Sequence, residues 1–221
     1  MTETSSAVFS IGPIEVTGTV ITIWVITAVL TLLSILATHN MKDEPGLLQS
    51  IAEQVVSKLH SYFSDILGNH LTDKYFPVLA TFFVFIIVSN YSGLLPGAGH
   101  LKAFKVPTAS LSVTAALAIV GFFTIHTVGV KERGWKGYLK SFLSVMLPLT
   151  LVEQLVRPFS LALRLFGNLY GEEMVTENLY GIFPILVPLV MNVLSLLFCL
   201  IQALVFTMLL SIYIGEAAEE E

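Results

Sequence analysis

Arg164 and the polar side chains spaced around it are the residues of this chain equipped for chemistry. The segment Ser160-Leu161-Ala162-Leu163-Arg164-Leu165-Phe166-Gly167-Asn168 sets one guanidinium in surroundings apolar enough for a lipid bilayer. A guanidinium keeps its proton at any biological pH. At membrane depth it costs at least ~2.5–3.5 kcal/mol on insertion scales. Two readings follow: the charge is kept to meet an ion or a carboxylate, or it snorkels or pairs for structural reasons. Helical spacing separates it from the neighbouring arginine. Glu153 stands four residues before Arg157, the spacing of an intrahelical ion pair, so these two are expected to neutralise each other. Arg164 has Ser160, Leu161, Gly167 and Asn168 at three and four residues, and no acid among them. Its counter-charge must come from elsewhere.

At 100° per residue, Glu153, Arg157, Ser160, Arg164 and Asn168 fall in a sector about 80° wide. Gly171 shares that sector, and Glu173 lands about 180° from Arg164. One helix thus carries a cationic stripe on one face and a carboxylate on the other. Further along, Asn192, Ser195, Cys199 and Gln202 recur at steps of three, four and three. Small polar residues on a membrane helix usually serve helix packing. The amide of Gln202 adds a second option, a hydrogen bond to a guanidinium on a neighbouring helix that leaves the charge intact.

The elements that must position these residues are membrane helices. Of 221 residues, 55% are hydrophobic and 12% charged, and the mean hydropathy is +0.82. Soluble proteins carry about 25% charged residues, so lipid is the solvent here. The stretches 16–38, 75–101, 106–130 and 178–215 hold no Asp, Glu, Lys or Arg. Each is long enough for a spanning helix, which needs ~20 residues, and too continuous for a transmembrane barrel, whose strands alternate over ~10. The expected fold is an all-α polytopic membrane protein in a single membrane domain. It comprises three roughly upright spans, one interfacial amphipathic helix, and a C-terminal hairpin of two long, strongly tilted helices.

Along the chain, residues 1–15 read as an external tail without the positive start of a cleavable signal, and 16–38 as the first span. Within 47–68, Leu48, Ile51, Val55, Leu59, Tyr62 and Ile66 recur at helical steps with charges elsewhere. Such a helix suits the membrane surface or packing on another subunit. Spans follow at 76–95 and 110–130. Lys131, Arg133, Lys136 and Lys140 then form the densest basic loop, which the positive-inside rule places in the cytoplasm, with the N-terminus outside and the C-terminus inside. The region 135–215 forms the tilted hairpin, turning near Gly181 to Pro188. A single helix over 135–177 would be ~60 Å long against a hydrocarbon core of ~30 Å. Residues 216–221 read as an acidic cytoplasmic tail. The net charge of −5 gives no basic surface for nucleic acid, the five histidines lack ligand spacing, and no metal or cofactor is expected. The lone Cys199 allows no disulfide within the chain.

These motifs resemble the a subunit of F-type ATP synthases, the stator channel subunit of the Fo sector. Pro158 to Asn168 is similar to the family's signature segment. Asn90-Tyr91-Ser92-Gly93-Leu94-Leu95-Pro96 resembles its Asn-x-x-Gly-Leu-x-Pro span end, and Ile201-Gln202-Ala203-Leu204-Val205-Phe206 its last-helix motif. The ending Tyr213-Ile214-Gly215-Glu216-Ala217 resembles bacterial and chloroplast members. By position, the resemblance implies that Arg164 is the stator arginine and Asn168 its polar neighbour. It puts Glu173, with Glu172 adjacent, at an access-channel carboxylate, and makes Gln202 the glutamine that faces the arginine. Ser195 stands where some members have His or Glu, and Ser110 where many have Asp. The proton path here therefore relies on Glu172, Glu173 and water.

The resemblance further implies partners: the c-subunit ring as rotor, b-type peripheral stalk subunits and the rest of the complex. It implies H⁺ translocation, with Na⁺ left open, in a bacterial inner membrane in preference to a thylakoid-type one. The isolated chain is then a non-catalytic channel subunit. A stand-alone secondary transporter or channel is the alternative, but it predicts inverted repeats that the sequence does not display. An intramembrane hydrolase would need a nucleophile with a base in reach, and no such motif occurs.

Overall fold

The computed structural model describes residues 7–11, 14–39, 46–94, 106–142, 147–180 and 186–218. Among them are six long helices: α1 (Gly18–Thr38), α2 (Leu47–Leu67), α3 (Asn69–Tyr91), α4 (Leu111–Phe142), α5 (Leu147–Tyr180) and α6 (Leu186–Ala218). Short 3-10 turns at Ser92–Leu94 and Pro107–Ala109 close α3 and lead into α4. Four of the described helices are long and apolar enough to cross a membrane: Gly18–Thr38, Asn69–Leu94, Leu111–Tyr138 and Val190–Ala218. The chain is an all-α polytopic membrane protein. The expected turns at 40–45 and 181–185, the loop at 95–105 and the acids beyond residue 218 lie outside the described residues.

One element departs from the expected N-terminal tail. Two short strands, β1 (Ala7–Ile11) and β2 (Ile14–Thr17), pair antiparallel, with Ile11 opposite Ile14 and Phe9 opposite Val16. Gly12-Pro13 between two β-branched runs is a turn signal that the charge and hydropathy pattern masked.

Helix α6 is the hub of the bundle, packing on α2, α3, α4 and α5. Its buried residues Ser195, Cys199, Gln202, Phe206, Leu210 and Ile214 recur at steps of three and four, so one continuous stripe faces the other helices. Phe206 stacks on Phe82 of α3 at 5.9 Å between ring centres. Leu79 and Ile86 of α3, Ile125 and Val128 of α4, and Leu161 and Leu165 of α5 complete the core. Helix α1 lies at the edge of the bundle against α3, with Ile26 buried and Trp24, Val29, Leu32 and Leu36 all exposed. In lipid, such exposure carries no hydrophobic penalty, because acyl chains are as apolar as leucine.

Helix α2 is amphipathic and divides in two. Leu59 and Phe63 are buried in the core, whereas Leu47, Ile51 and Val55 are exposed. The buried half is tied down by polar contacts: Tyr62 donates to the Leu204 carbonyl at 3.4 Å, and His60 meets Asp73 at 2.8 Å. Gly68, at φ +75° and ψ 158°, then reverses the chain into α3. That region of backbone space is open essentially to glycine alone.

A second glycine of this kind breaks α4. Gly134 sits at φ 72° and ψ 159°, so the spanning part stops after Arg133 and the segment from Trp135 folds back. Tyr138 on that segment meets His126 Nδ1 at 2.5 Å. Its ring fits because Gly129 has no side chain: a Cβ there would lie 2.5 Å from Tyr138 Cε2 and 3.2 Å from the Ala217 carbonyl. Helix α5 follows with 34 residues, about 50 Å at 1.5 Å per residue. That exceeds an upright crossing of a ~30 Å hydrocarbon core.

Candidate functional site

The site is built where α5 packs on α6. On α5, Leu161, Ala162 and Leu165 are buried, while Val156, Phe159, Leu163 and Arg164 are exposed. The same helix thus has an anchored face and an open one. Val156, Phe159, Ser160, Leu163 and Arg164 line a shallow, mostly apolar concavity on the open side. Arg164 makes no hydrogen bond or ion pair with the described residues. A guanidinium with five donors and no partner among the described residues, on a largely apolar helix face, is the feature that defines the site.

One turn along, Asn168 Nδ2 donates to Gln202 Oε1 on α6 at 2.7 Å. Gln202 is 3% exposed, and its Nε2 has no partner among the described residues. The glutamine therefore lies close to the arginine helix but spends its acceptor on Asn168. Ser195 is buried, and its hydroxyl returns a hydrogen bond to its own helix at Met191 O, 2.8 Å away. Glu172 and Glu173 lie on α5 beyond Asn168 and Glu153 lies before Arg157; the side chains of all three fall outside the described residues.

Arg157 has a contact that spacing along its own helix does not announce, while the expected pair with Glu153 falls on a side chain outside the described residues. Its Nη2 meets Glu216 Oε2 of α6 at 2.6 Å, and its guanidinium lies 4.6 Å from the centre of the Tyr213 ring. Arg133 of α4 reaches the Glu216 carbonyl at 3.4 Å. Nearby, Glu132 accepts from both Lys74 Nζ and the Tyr75 hydroxyl of α3 at 2.5 Å each. One end of the bundle thus gathers ion pairs from α3, α4, α5 and α6. Adjacent residues such as Glu132 and Arg133 announce no such pairing, because their partners are remote in sequence.

Toward the other end, further buried polar atoms appear that spacing arguments did not select. Asn90 donates through Nδ2 to the Cys199 carbonyl at 3.4 Å, and Tyr91 to the Leu196 carbonyl at 3.2 Å. Asn90 Oδ1, Ser89 Oγ and Thr108 Oγ1 are buried without a partner among the described residues. Burying such groups costs free energy unless water or another polar group reaches them. The signal was present in the Asn-x-x-Gly-Leu-x-Pro motif. Its glycine is required by close approach, since a Cβ on Gly93 would lie 2.8 Å from Val106 Cγ2.

A bundle of long apolar helices, with an arginine on an open helix face that has no partner among the described residues, defines a class: a polytopic membrane subunit. The comparisons with known proteins are specific about which. Residues 20–215 match the family model described as ATP synthase A chain, and the chain belongs to that family, the a subunits of the Fo sector of F-type ATP synthases. It is 43% identical over 204 residues to ATP synthase subunit a 3 of Pelobacter propionicus, covering 89% of this chain and 86% of that one. Against ATP synthase subunit a 2 of a Bradyrhizobium species, identity is 36% over 217 residues, or 97% and 94% of the two chains. ATP synthase subunit a of Moorella thermoacetica is 37% identical over 211 residues, 94% of each. The chain is accordingly a stator component of the CF(0) sector, one subunit of a larger membrane complex, and serves hydrogen-ion transport in ATP synthesis.

Proposed function

We propose that this subunit offers two offset half-channels to a rotating ring of c subunits, and that Arg164 is the charge the ring carboxylates meet. The observation that carries this reading is the position of Arg164: exposed on α5, without a partner among the described residues, and flanked by side chains that do have partners. A ring carboxylate buried in lipid favours its protonated form, and an arginine close by favours the ionised one. Each carboxylate therefore releases its proton as it reaches Arg164 and is reloaded from the other half-channel. The fixed cation also opposes a proton passing straight through.

Asn168 and Gln202 suit this task because amides beside the arginine leave its charge uncompensated. A carboxylate there would lock it. Glu172, Glu173, Asn168, Gln202 and Ser195 form the proposed proton path. The buried unpartnered atoms of Ser89, Asn90 and Thr108 extend a polar seam that water would satisfy. The peripheral stalk of b-type subunits holds the chain against the turning ring, in a bacterial inner membrane with the N-terminus outside. The driving force is about 2.3 kcal/mol per charge per 100 mV, so the pair with Arg164 must form and break at each step.

Replacing Arg164 with Ala tests the reading directly. ATP-driven proton pumping in inverted membrane vesicles should be lost while the complex remains assembled. Retained coupled pumping would show that the arginine is not the coupling charge.

A further inference from the structure

Two polar ties join α5 to α6, and they bracket Arg164. Asn168 pairs with Gln202 on one side, and Arg157 with Glu216 on the other. The ties agree with a single antiparallel register, because moving down α5 from Asn168 to Arg157 corresponds to moving up α6 from Gln202 to Glu216. Arg157 and Arg164 are seven residues apart and differ by only about 20° around the helix. Whatever fixes the rotation and height of Arg157 therefore fixes those of Arg164.

We propose that Glu216 and Tyr213 are positioning residues for the stator arginine: they hold Arg157, and through it set the height and rotation of the helix that displays Arg164. The geometry at Arg157 is that of a held group. Its side chain is 20% exposed against 49% for Glu216. It has a charged acceptor, an aromatic face beneath it, and a carboxylate whose own backbone carbonyl is bound by Arg133 of α4. A planar guanidinium served by both an ion pair and a ring is defined in orientation as well as position. Apolar packing through Leu161 and Leu165 holds α5 in the bundle, and the two polar ties add directional contacts on either side of Arg164 that apolar packing does not supply. Angstrom-scale misplacement of a reacting charge is enough to cost rate by orders of magnitude.

This inference rests on Arg164 being the coupling charge, and the experiment separates the two. Arg164→Ala, Arg157→Gln, Glu216→Gln and the exchange Arg157→Glu with Glu216→Arg are made in the whole complex. Each is read for subunit content of the membrane, ATP hydrolysis and proton pumping. Arg157→Gln and Glu216→Gln should each lower pumping per ATP by about tenfold, the order expected of a misplaced charge, at unchanged subunit content. The exchange should recover most of the loss, which shows that the pair itself matters, while unchanged subunit content with lowered pumping per ATP separates positioning from a merely structural contact. Wild-type pumping in Glu216→Gln, or an exchange no better than the worse single change, overturns the proposal. If the glutamine variants fail to accumulate, Arg157→Lys and Glu216→Asp are read instead, and full pumping by both overturns it equally. Retained pumping in Arg164→Ala would remove the reading of the site itself, whatever the other variants do.

Discussion

At the scale of single residues, the decisive contrast is between two arginines on one helix face. Arg157 is enclosed by Glu216 and Tyr213, whereas Arg164 projects from α5 with no described partner. The isolation of Arg164 was legible in the sequence, because an intrahelical counter-ion is limited to positions three and four residues away. The Glu216 contact of Arg157 was not, since Glu216 sits at the far end of another helix and only the packing of α5 on α6 brings it near. The same packing supplies the Asn168–Gln202 bond. Replacing either residue with Leu leaves a polar group in the bilayer facing an apolar one. A double-mutant cycle of Asn168→Leu and Gln202→Leu, followed by equilibrium unfolding in detergent, should return a coupling of about 0.6–1.7 kcal/mol. Additive single effects would mean that the bond does not form.

At the scale of elements, helices with unbroken apolar runs were read correctly from length and hydropathy, and their breaks were less visible. α3 begins at Asn69, ahead of its apolar stretch, because Gly68 delivers a turn at positive φ and the polar residues after it continue the helix. α4 passes the basic cluster and is interrupted only at Gly134, where backbone conformation rather than polarity sets the limit. Gly134→Ala should destabilise the subunit by about 1–3 kcal/mol, the cost of holding a side chain in that region. Gly129→Ala should cost about as much by overpacking, because its Cβ would displace the Tyr138 ring and crowd the Ala217 carbonyl. Gly137→Ala is the matched control. Its Cβ would meet only Arg133 Cβ at an ordinary 3.5 Å, and removing a helical glycine should be neutral or stabilising. Thermal unfolding of the three variants in one detergent ranks them. Equal melting of Gly134→Ala and Gly137→Ala would contradict the kink.

At the scale of the whole molecule, the described charged contacts gather at one end of the bundle. Lys74, Glu132, Arg133, Arg157 and Glu216 meet there, at the end that the proposed topology puts in the cytoplasm. The opposite end offers Asn90, Tyr91 and Thr108 instead, uncharged and buried or half-buried. This orientation has a direct check. With Cys199 replaced by Ala, Lys136→Cys and Ser112→Cys introduce single exposed thiols near opposite ends of α4. A membrane-impermeant maleimide should label residue 136 in inverted vesicles and residue 112 only in right-side-out ones. The reverse pattern would invert the topology.

The bare guanidinium of Arg164 also bears on the fate of a newly made chain. On the proposed function, until a rotor is beside it the subunit holds in lipid a charge that no described residue compensates, at a cost of at least ~2.5–3.5 kcal/mol. An orphan copy must thin the bilayer or draw water toward the charge, which is the kind of distortion that membrane proteases and chaperones act upon. On the proposed function, assembly removes that burden by supplying ring carboxylates in succession. The residue proposed to couple the motor would then also be a timer on the unassembled subunit, its lifetime in the membrane set by how soon it finds the ring.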